Sequence, residues 1–110
     1  MEAAERAAAV NERDLTRQVR DFLRVMGAWE VKHRAGLGDR RGIPDVLACY
    51  RGRFVAFEIK APKGRLTPYQ VAELEAVRHA GGVAAEVRSL EDVLAALGAV
   101  DAGISERVRA

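Results

Sequence analysis

Three residues of this chain have the types and the spacing to do chemistry together: Asp45, Glu58 and Lys60. They lie in the run Gly42 to Lys60, GIPDVLACYRGRFVAFEIK, which reads as two short strands joined by a tight turn at Arg51-Gly52. A two-residue loop there sets Tyr50 opposite Arg53 and Asp45 opposite Glu58. A four-residue loop keeps that register, and a three-residue loop slips it by one. Opposed residues project to one face with Cβ atoms about 4.5–5.5 Å apart. Alternation places Lys60 on the same face and turns Phe57 and Ile59 the other way. Two carboxylates at that separation repel unless positive charge sits between them. A divalent cation, helped by the Lys60 ammonium, is the economical candidate. The plainer account makes Asp45 a turn acid and Glu58-Lys60 a surface pair. Against it, Glu58 sits in an otherwise apolar strand, where an unpaired carboxylate is expensive.

The elements that must position these residues can be read on either side. Asn11 is a candidate helix N-cap with Asp14 three residues on. Leu15, Val19, Phe22, Leu23 and Met26 then recur at helical spacing until Gly27. Glu12 falls in the first turn, in phase with Leu15 and Val19. It either edges the buried face or simply suits the helix dipole. Residues 28–34 alternate weakly and read as a first strand. Residues 35–44, rich in Gly with Arg40 and Arg41 adjacent, read as a loop. His33, at the strand end, is of a kind more often hydrogen-bonding than ligating. Two histidines without ligand spacing and one cysteine argue against a structural zinc site.

Downstream, Pro62 stops the second hairpin strand. Thr67-Pro68-Tyr69-Gln70 starts a helix: Thr67 as N-cap, Pro68 at the first position, Gln70 completing a capping box. That helix runs to Ala80 and breaks at Gly81-Gly82. Val83 to Val87 reads as a buried strand. Ser89 caps a last helix, Leu90 to Leu97, with Val93, Leu94 and Leu97 as its apolar face. Residues 1–10 and 98–110 carry no strong pattern and read as terminal extensions of a core at about 11–97. The expectation is an α/β fold, a single domain over 1–110, with a mixed sheet and helices on both faces.

Composition sets the outer bounds. A chain of 110 residues, 49% hydrophobic, can build one core, mostly of Val, Leu, Ala and Ile because it has only three Phe, two Tyr and one Trp. The single cysteine excludes an internal disulfide and fits a reducing compartment. No apolar run approaches the ~18–20 residues of a membrane span and no signal-peptide pattern opens the chain, so a cytoplasmic protein is expected. The net charge of +2 hides an asymmetry. Residues 31–65 hold nine Lys/Arg against three Asp/Glu, and the remainder holds nine against thirteen. A basic block around an acid pair suggests a polyanion brought to a cation site.

Pro44-Asp45 followed by Glu58-Ile59-Lys60 resembles the signature of the PD-(D/E)XK nuclease superfamily, and the αβββαβ order resembles its restriction-endonuclease-like core. The wider run is similar to the VRR-NUC branch: Glu12 in the leading helix, Gly42-Ile-Pro-Asp45, Phe57-Glu58-Ile-Lys60, Lys63-Gly-Arg-Leu-Thr67-Pro-x-Gln70, then Gly81-Gly82. Ile43 and Thr67 are conservative variants of the usual pattern. The resemblance implies that Asp45 and Glu58 bind Mg²⁺ or Mn²⁺ with the Ile59 carbonyl as a further ligand. It implies that Glu12 reaches the metal directly or through water, and that Lys60 orients or deprotonates the attacking water or steadies charge on the phosphate. Gln70 would contact the site or the scissile phosphate. Arg34, Arg40, Arg41, Lys63 and Arg65 are candidate DNA contacts, giving affinity more than sequence specificity. The implied activity is a metal-dependent, structure-selective endodeoxyribonuclease, of which a Holliday-junction resolvase acting on branched DNA as a homodimer is one form. The alternatives are a repair or restriction-like nuclease on duplex, nicked or flapped DNA, and a catalytically silent DNA-binding module.

Overall fold

The computed structural model describes residues 11–36 and 38–109, with the side chains of the last helix as far as Ile104. The first ten residues, read above as a terminal extension, lie outside the described residues. Helix α1 spans Glu12–Val25. Asn11 caps it, its side-chain oxygen accepting from the Asp14 N–H at 2.8 Å. Leu15, Val19 and Leu23 are buried. The helix stops in a Schellman turn: Gly27 takes φ +82°, its N–H donates to Arg24 and that of Ala28 to Leu23. Met26 is the C-cap and is exposed rather than buried with the stripe, because it lies where the chain leaves the helix.

Strands β1 (Trp29–Lys32), β2 (Val46–Tyr50), β3 (Arg53–Ile59) and β4 (Val83–Val87) form one sheet in the order β1-β2-β3-β4. The β1–β2 and β2–β3 pairings are antiparallel, and β4 runs parallel to β3. Tyr50 pairs with Arg53 and Val46 with Phe57, so the hairpin loop is the two residues Arg51-Gly52. Both take positive φ, +50° and +82°, the signature of a type I′ turn. This register carries Asp45 opposite Glu58.

One sheet face, bearing Val46, Ala48, Tyr50, Val55, Phe57, Ile59 and Val87, packs against α1 and α3 (Leu90–Arg109). The other face receives α2 (Pro68–His79), where Leu74 seats against the small residues Ala56 and Ala84. Alternation along β3 therefore sends Phe57 and Ile59 to the large core and Glu58 to the α2 side. In β1 the helix-facing residue is Glu30, while Trp29 (64% exposed) lies on the α2 side of the sheet. Helix α3 does not end at Leu97 but continues to Arg109. Gly98 is exposed and interrupts nothing, and Val100 and Ile104 continue the apolar stripe. Leu94 points outward, and Ala96 takes the inward place beside Val93, Leu97 and Val100. Asp101, one turn beyond Leu97, receives the Arg51 guanidinium at 2.7 Å and the Tyr50 hydroxyl at 3.3 Å, tying the hairpin turn to the helix. Among the described residues no helix is long and apolar enough to cross a membrane.

Candidate active site

Glu58, the next-to-last residue of β3, faces the α2 side of the sheet and is 3% exposed. Its Oε1 accepts from Gln70 Nε2 at 2.9 Å. Its Oε2 is buried and meets no hydrogen-bond donor among the described residues. Burial is the main reason its pKa is pushed up to about 8; the neighbouring Asp45 carboxylate adds to this, and Glu12 contributes a little. The Lys60 ammonium pulls in the opposite direction without prevailing. A buried acid with one orphaned oxygen beside a second acid is costly unless a cation or a proton resides there.

Asp45 stands one residue before β2. Its carbonyl accepts from the His33 N–H at 2.7 Å, and its side-chain Oδ2 accepts from the Ile59 N–H at 2.8 Å. The carboxylate thus extends the β2–β3 ladder by one side-chain bond and is held beside Glu58. In an extended residue the N–H and C=O point to the same side, so the Ile59 carbonyl also faces the Asp45 edge. Lys60 is half-buried; its N–H donates to Val87 at 2.9 Å, and its stem runs past Gly64.

Gln70 reaches Glu58 because α2 begins where it does. Thr67 caps the helix, accepting from the Gln70 N–H at 3.2 Å, while Gln70 Oε1 accepts from the Thr67 N–H at 2.9 Å. That leaves Nε2 for Glu58, so one amide serves the capping box and the carboxylate together. Gly42 brings the two segments close. A Cβ there would collide with the Tyr69 carbonyl and come within 2.8 Å of Gln70 N, and its φ is +89°.

Glu12 sits at the rim. Its Oε1 accepts from the Ala61 N–H at 3.3 Å, beside Lys60, and the side chain is exposed. Among the described residues no three carboxylate, imidazole or thiol groups gather into a ready cage. The donors that do converge are the Asp45 and Glu58 carboxylates, with the Ile59 carbonyl on their side. Hard oxygens in small number, one of them buried without a partner, fit a divalent cation that keeps several waters.

The basic residues divide into groups. Arg34, Lys63 and Arg65 are exposed on the loops flanking the site. Arg40 forms a two-pronged ion pair with Glu73 of α2 at 2.8 and 3.0 Å, and Arg41 lies 5.4 Å over the Tyr69 ring. Two residues escape a reading of the sequence. Glu86 pairs with Glu58 in the β3–β4 register, so a second E-x-basic run, Glu86-Val-Arg88, lies alongside Glu58-Ile-Lys60. Arg88 neutralises Glu86 and donates to the carbonyls of Ala61 (2.7 Å), Pro62 (3.1 Å) and Gly64 (2.5 Å). It pins the loop that follows Lys60. An acid in the apolar strand 83–87 was the available signal for this pair.

No protein-family model matches the sequence, and no curated protein does. Solved structures do match. One described as a VRR_NUC domain superposes with a TM-score of 0.67 at 24% identity, covering 79% of this chain and 94% of that one. A VRR_NUC domain protein gives 0.63 at 17%, over 82% and 87%. Archaeoglobus fulgidus Hjc, a Holliday junction resolvase from an archaeal hyperthermophile, gives 0.52 at 21%, over 66% of this chain and 63% of that one. At these identities the likeness is one of fold: the chain has a VRR-NUC-like nuclease fold, an α/β architecture shared with a junction resolvase.

Proposed function

We propose that this protein is a metal-dependent endodeoxyribonuclease that hydrolyses phosphodiester bonds in branched DNA, with Holliday-junction cleavage as the specific form. The observation that carries the reading is the buried, partnerless Oε2 of Glu58 beside Asp45, with Lys60 on the same face. The fold shared with a junction resolvase supports the choice of substrate.

Asp45 and Glu58, with the Ile59 carbonyl, would hold Mg²⁺, and Mn²⁺ would substitute. A bound cation of this kind lowers the pKa of its water and offsets charge building on the phosphate. Lys60 holds a positive charge on the same face, where it orients the attacking water and steadies the phosphate oxygens. Gln70 fixes the Glu58 carboxylate in one orientation. Glu12 adds negative charge at the rim of the group that would hold the cation. Arg34, Arg41, Lys63 and Arg65 hold the DNA backbone, and Arg40 does so where it can leave Glu73. One chain carries one such site, and symmetric cutting of two strands needs two, so the active form is a homodimer.

Cleavage of a four-way junction, compared with linear duplex of the same sequence, in Mg²⁺, Mn²⁺ and EDTA, tests the reading. Junction cutting in either metal and none in EDTA is expected, with Asp45→Ala and Glu58→Ala inactive but still binding DNA. Undiminished cutting by both variants would sink the assignment. Light scattering that finds a monomer with and without junction DNA would sink the dimer.

A further inference from the structure

Helix α1 carries a second basic surface, most of it outside the 31–65 block. Arg13, Arg17, Arg20 and Arg24 recur at spacings of four, three and four, which is one helical face. Together with Lys32 of the edge strand β1 they line an open groove of about 430 Å³. The eleven steps from Arg13 to Arg24, at about 1.5 Å rise each, give the stripe a length of about 16 Å.

The stripe is built rather than incidental. Glu30 projects from β1 toward α1 with its side chain 3% exposed, and takes Arg20 Nε at 2.6 Å and Arg24 Nε at 2.9 Å. One carboxylate thus fixes two guanidiniums, whose side chains remain 30% and 57% exposed. Fixed planar forks with outward donors suit phosphate oxygens, because the ordering cost has been met before the ligand arrives. Asp14 and Asp21 approach Arg17 and Arg24 only at 3.5 Å, in exposed i,i+3 pairs worth little. Neither Arg13 nor Lys32 has an acidic partner among the described residues.

Helix α1 also starts beside the candidate active site. The first residue of α1 is Glu12, which reaches the Ala61 N–H beside Lys60. Arg13 follows it directly, so the stripe starts at the rim of the site and runs away from it.

We propose that the α1–β1 groove is a second phosphate-binding track, holding the sugar–phosphate backbone of the DNA segment that flanks the one presented to Asp45 and Glu58. This rests on the nuclease reading for its polyanion. Duplex DNA carries about one negative charge per 1.7 Å, so a track of this length meets several phosphates.

The test is fluorescence anisotropy with a labelled four-way junction in EDTA, across a salt series, for the wild type and for Arg13→Gln/Arg17→Gln/Lys32→Gln. These three positions are exposed and leave the Glu30 ion pairs in place, and a thermal melt checks that the fold is retained. The triple variant is expected to bind about 10- to 100-fold more weakly at moderate salt. The slope of log affinity against log salt should shrink by roughly two to three. Equal affinity and equal slope would overturn the track, leave the cutting assignment standing and return the groove to an acidic protein segment. Weaker binding by the variant, with no cutting by the wild type in Mg²⁺ or Mn²⁺, would support the track and overturn the nuclease reading. Absence of DNA binding by the wild type would overturn both.

Discussion

Gln70 donates its Nε2–H to Glu58 Oε1 at 2.9 Å while its own Oε1 accepts from the Thr67 N–H at 2.9 Å. A single side chain therefore couples the start of α2 to the orientation of the buried carboxylate. The two roles separate by mutation. Thr67→Ala removes the cap alone and should cost about 1 kcal/mol in stability, with cleavage unchanged to within about twofold. Gln70→Ala should cost a similar amount and also lower single-turnover cleavage by about tenfold or more. Denaturant melts and single-turnover assays read the two effects. Equal cleavage by the two variants would confine Gln70 to the cap.

The high pKa of Glu58 makes metal-free stability depend on pH. Its pKa in the fold, about 8, lies above its unfolded value, so between roughly pH 4.5 and 8 the unfolded chain has released a proton that the folded chain keeps. The contribution is present below the unfolded pKa and is lost as pH rises through the folded one. In EDTA, stability should fall by up to about 1.4 kcal/mol per pH unit over that interval. Glu58→Gln should flatten that slope. Urea midpoints at pH 5, 6, 7 and 8 measure it, and an identical slope in the variant would show that another group is responsible.

Cation binding should run the other way. A ligand carboxylate must give up its proton, so binding by a site with one proton to lose should tighten by about tenfold per pH unit up to pH 8 and then level off. Calorimetry with Mn²⁺ in two buffers of different ionisation enthalpy should report about one proton released at pH 7. Chelation should lower Tm more at pH 8 than at pH 6. Binding that does not vary with pH would remove Glu58 from the ligand set.

Gly42→Ala should be among the most damaging single-methyl changes in the chain. The new Cβ meets backbone atoms of Tyr69 and Gln70, and φ of +89° is itself strained for alanine. A loss of about 2–4 kcal/mol is expected, together with weaker cleavage because α2 must shift and take Gln70 with it. Gly98→Ala, where a Cβ meets nothing, is the control and should be neutral or mildly stabilising. Similar losses at both positions would refute the close approach.

The hairpin register, the Asn11 and Thr67 caps and the capping box were legible in the sequence because each is local: turn length sets register, and cap residues act within four positions. The opposition of Asp45 and Glu58 follows from that register. What the sequence left unread depends on distant partners. Arg88 and Glu86 gain their places from the parallel β3–β4 pairing, which no turn dictates. Arg40, expected as a DNA contact, is engaged by Glu73 from a helix far along the chain. Glu30 faces inward because two arginines of α1 cover it, which reverses the usual sense of a strand charge. The continuation of α3 past Gly98 depends on Val100 and Asp101 meeting the sheet and the hairpin turn, contacts that outweigh one weak helix former.

Asp45, Glu58, Lys60 and Gln70 lie on one continuous stretch of chain, which Glu12, His33, Val87 and Arg88 meet from outside it. Loop closures this short cost little entropy, so the acid pair and its amide partner are inexpensive to assemble. The same economy means that the site opens as a unit. A fluctuation that frees the loop pinned by Arg88 loosens Lys60 and exposes the edge bonded by the Ile59 amide. The exchange rate of that amide therefore reports, in the resting protein, how often the two carboxylates part.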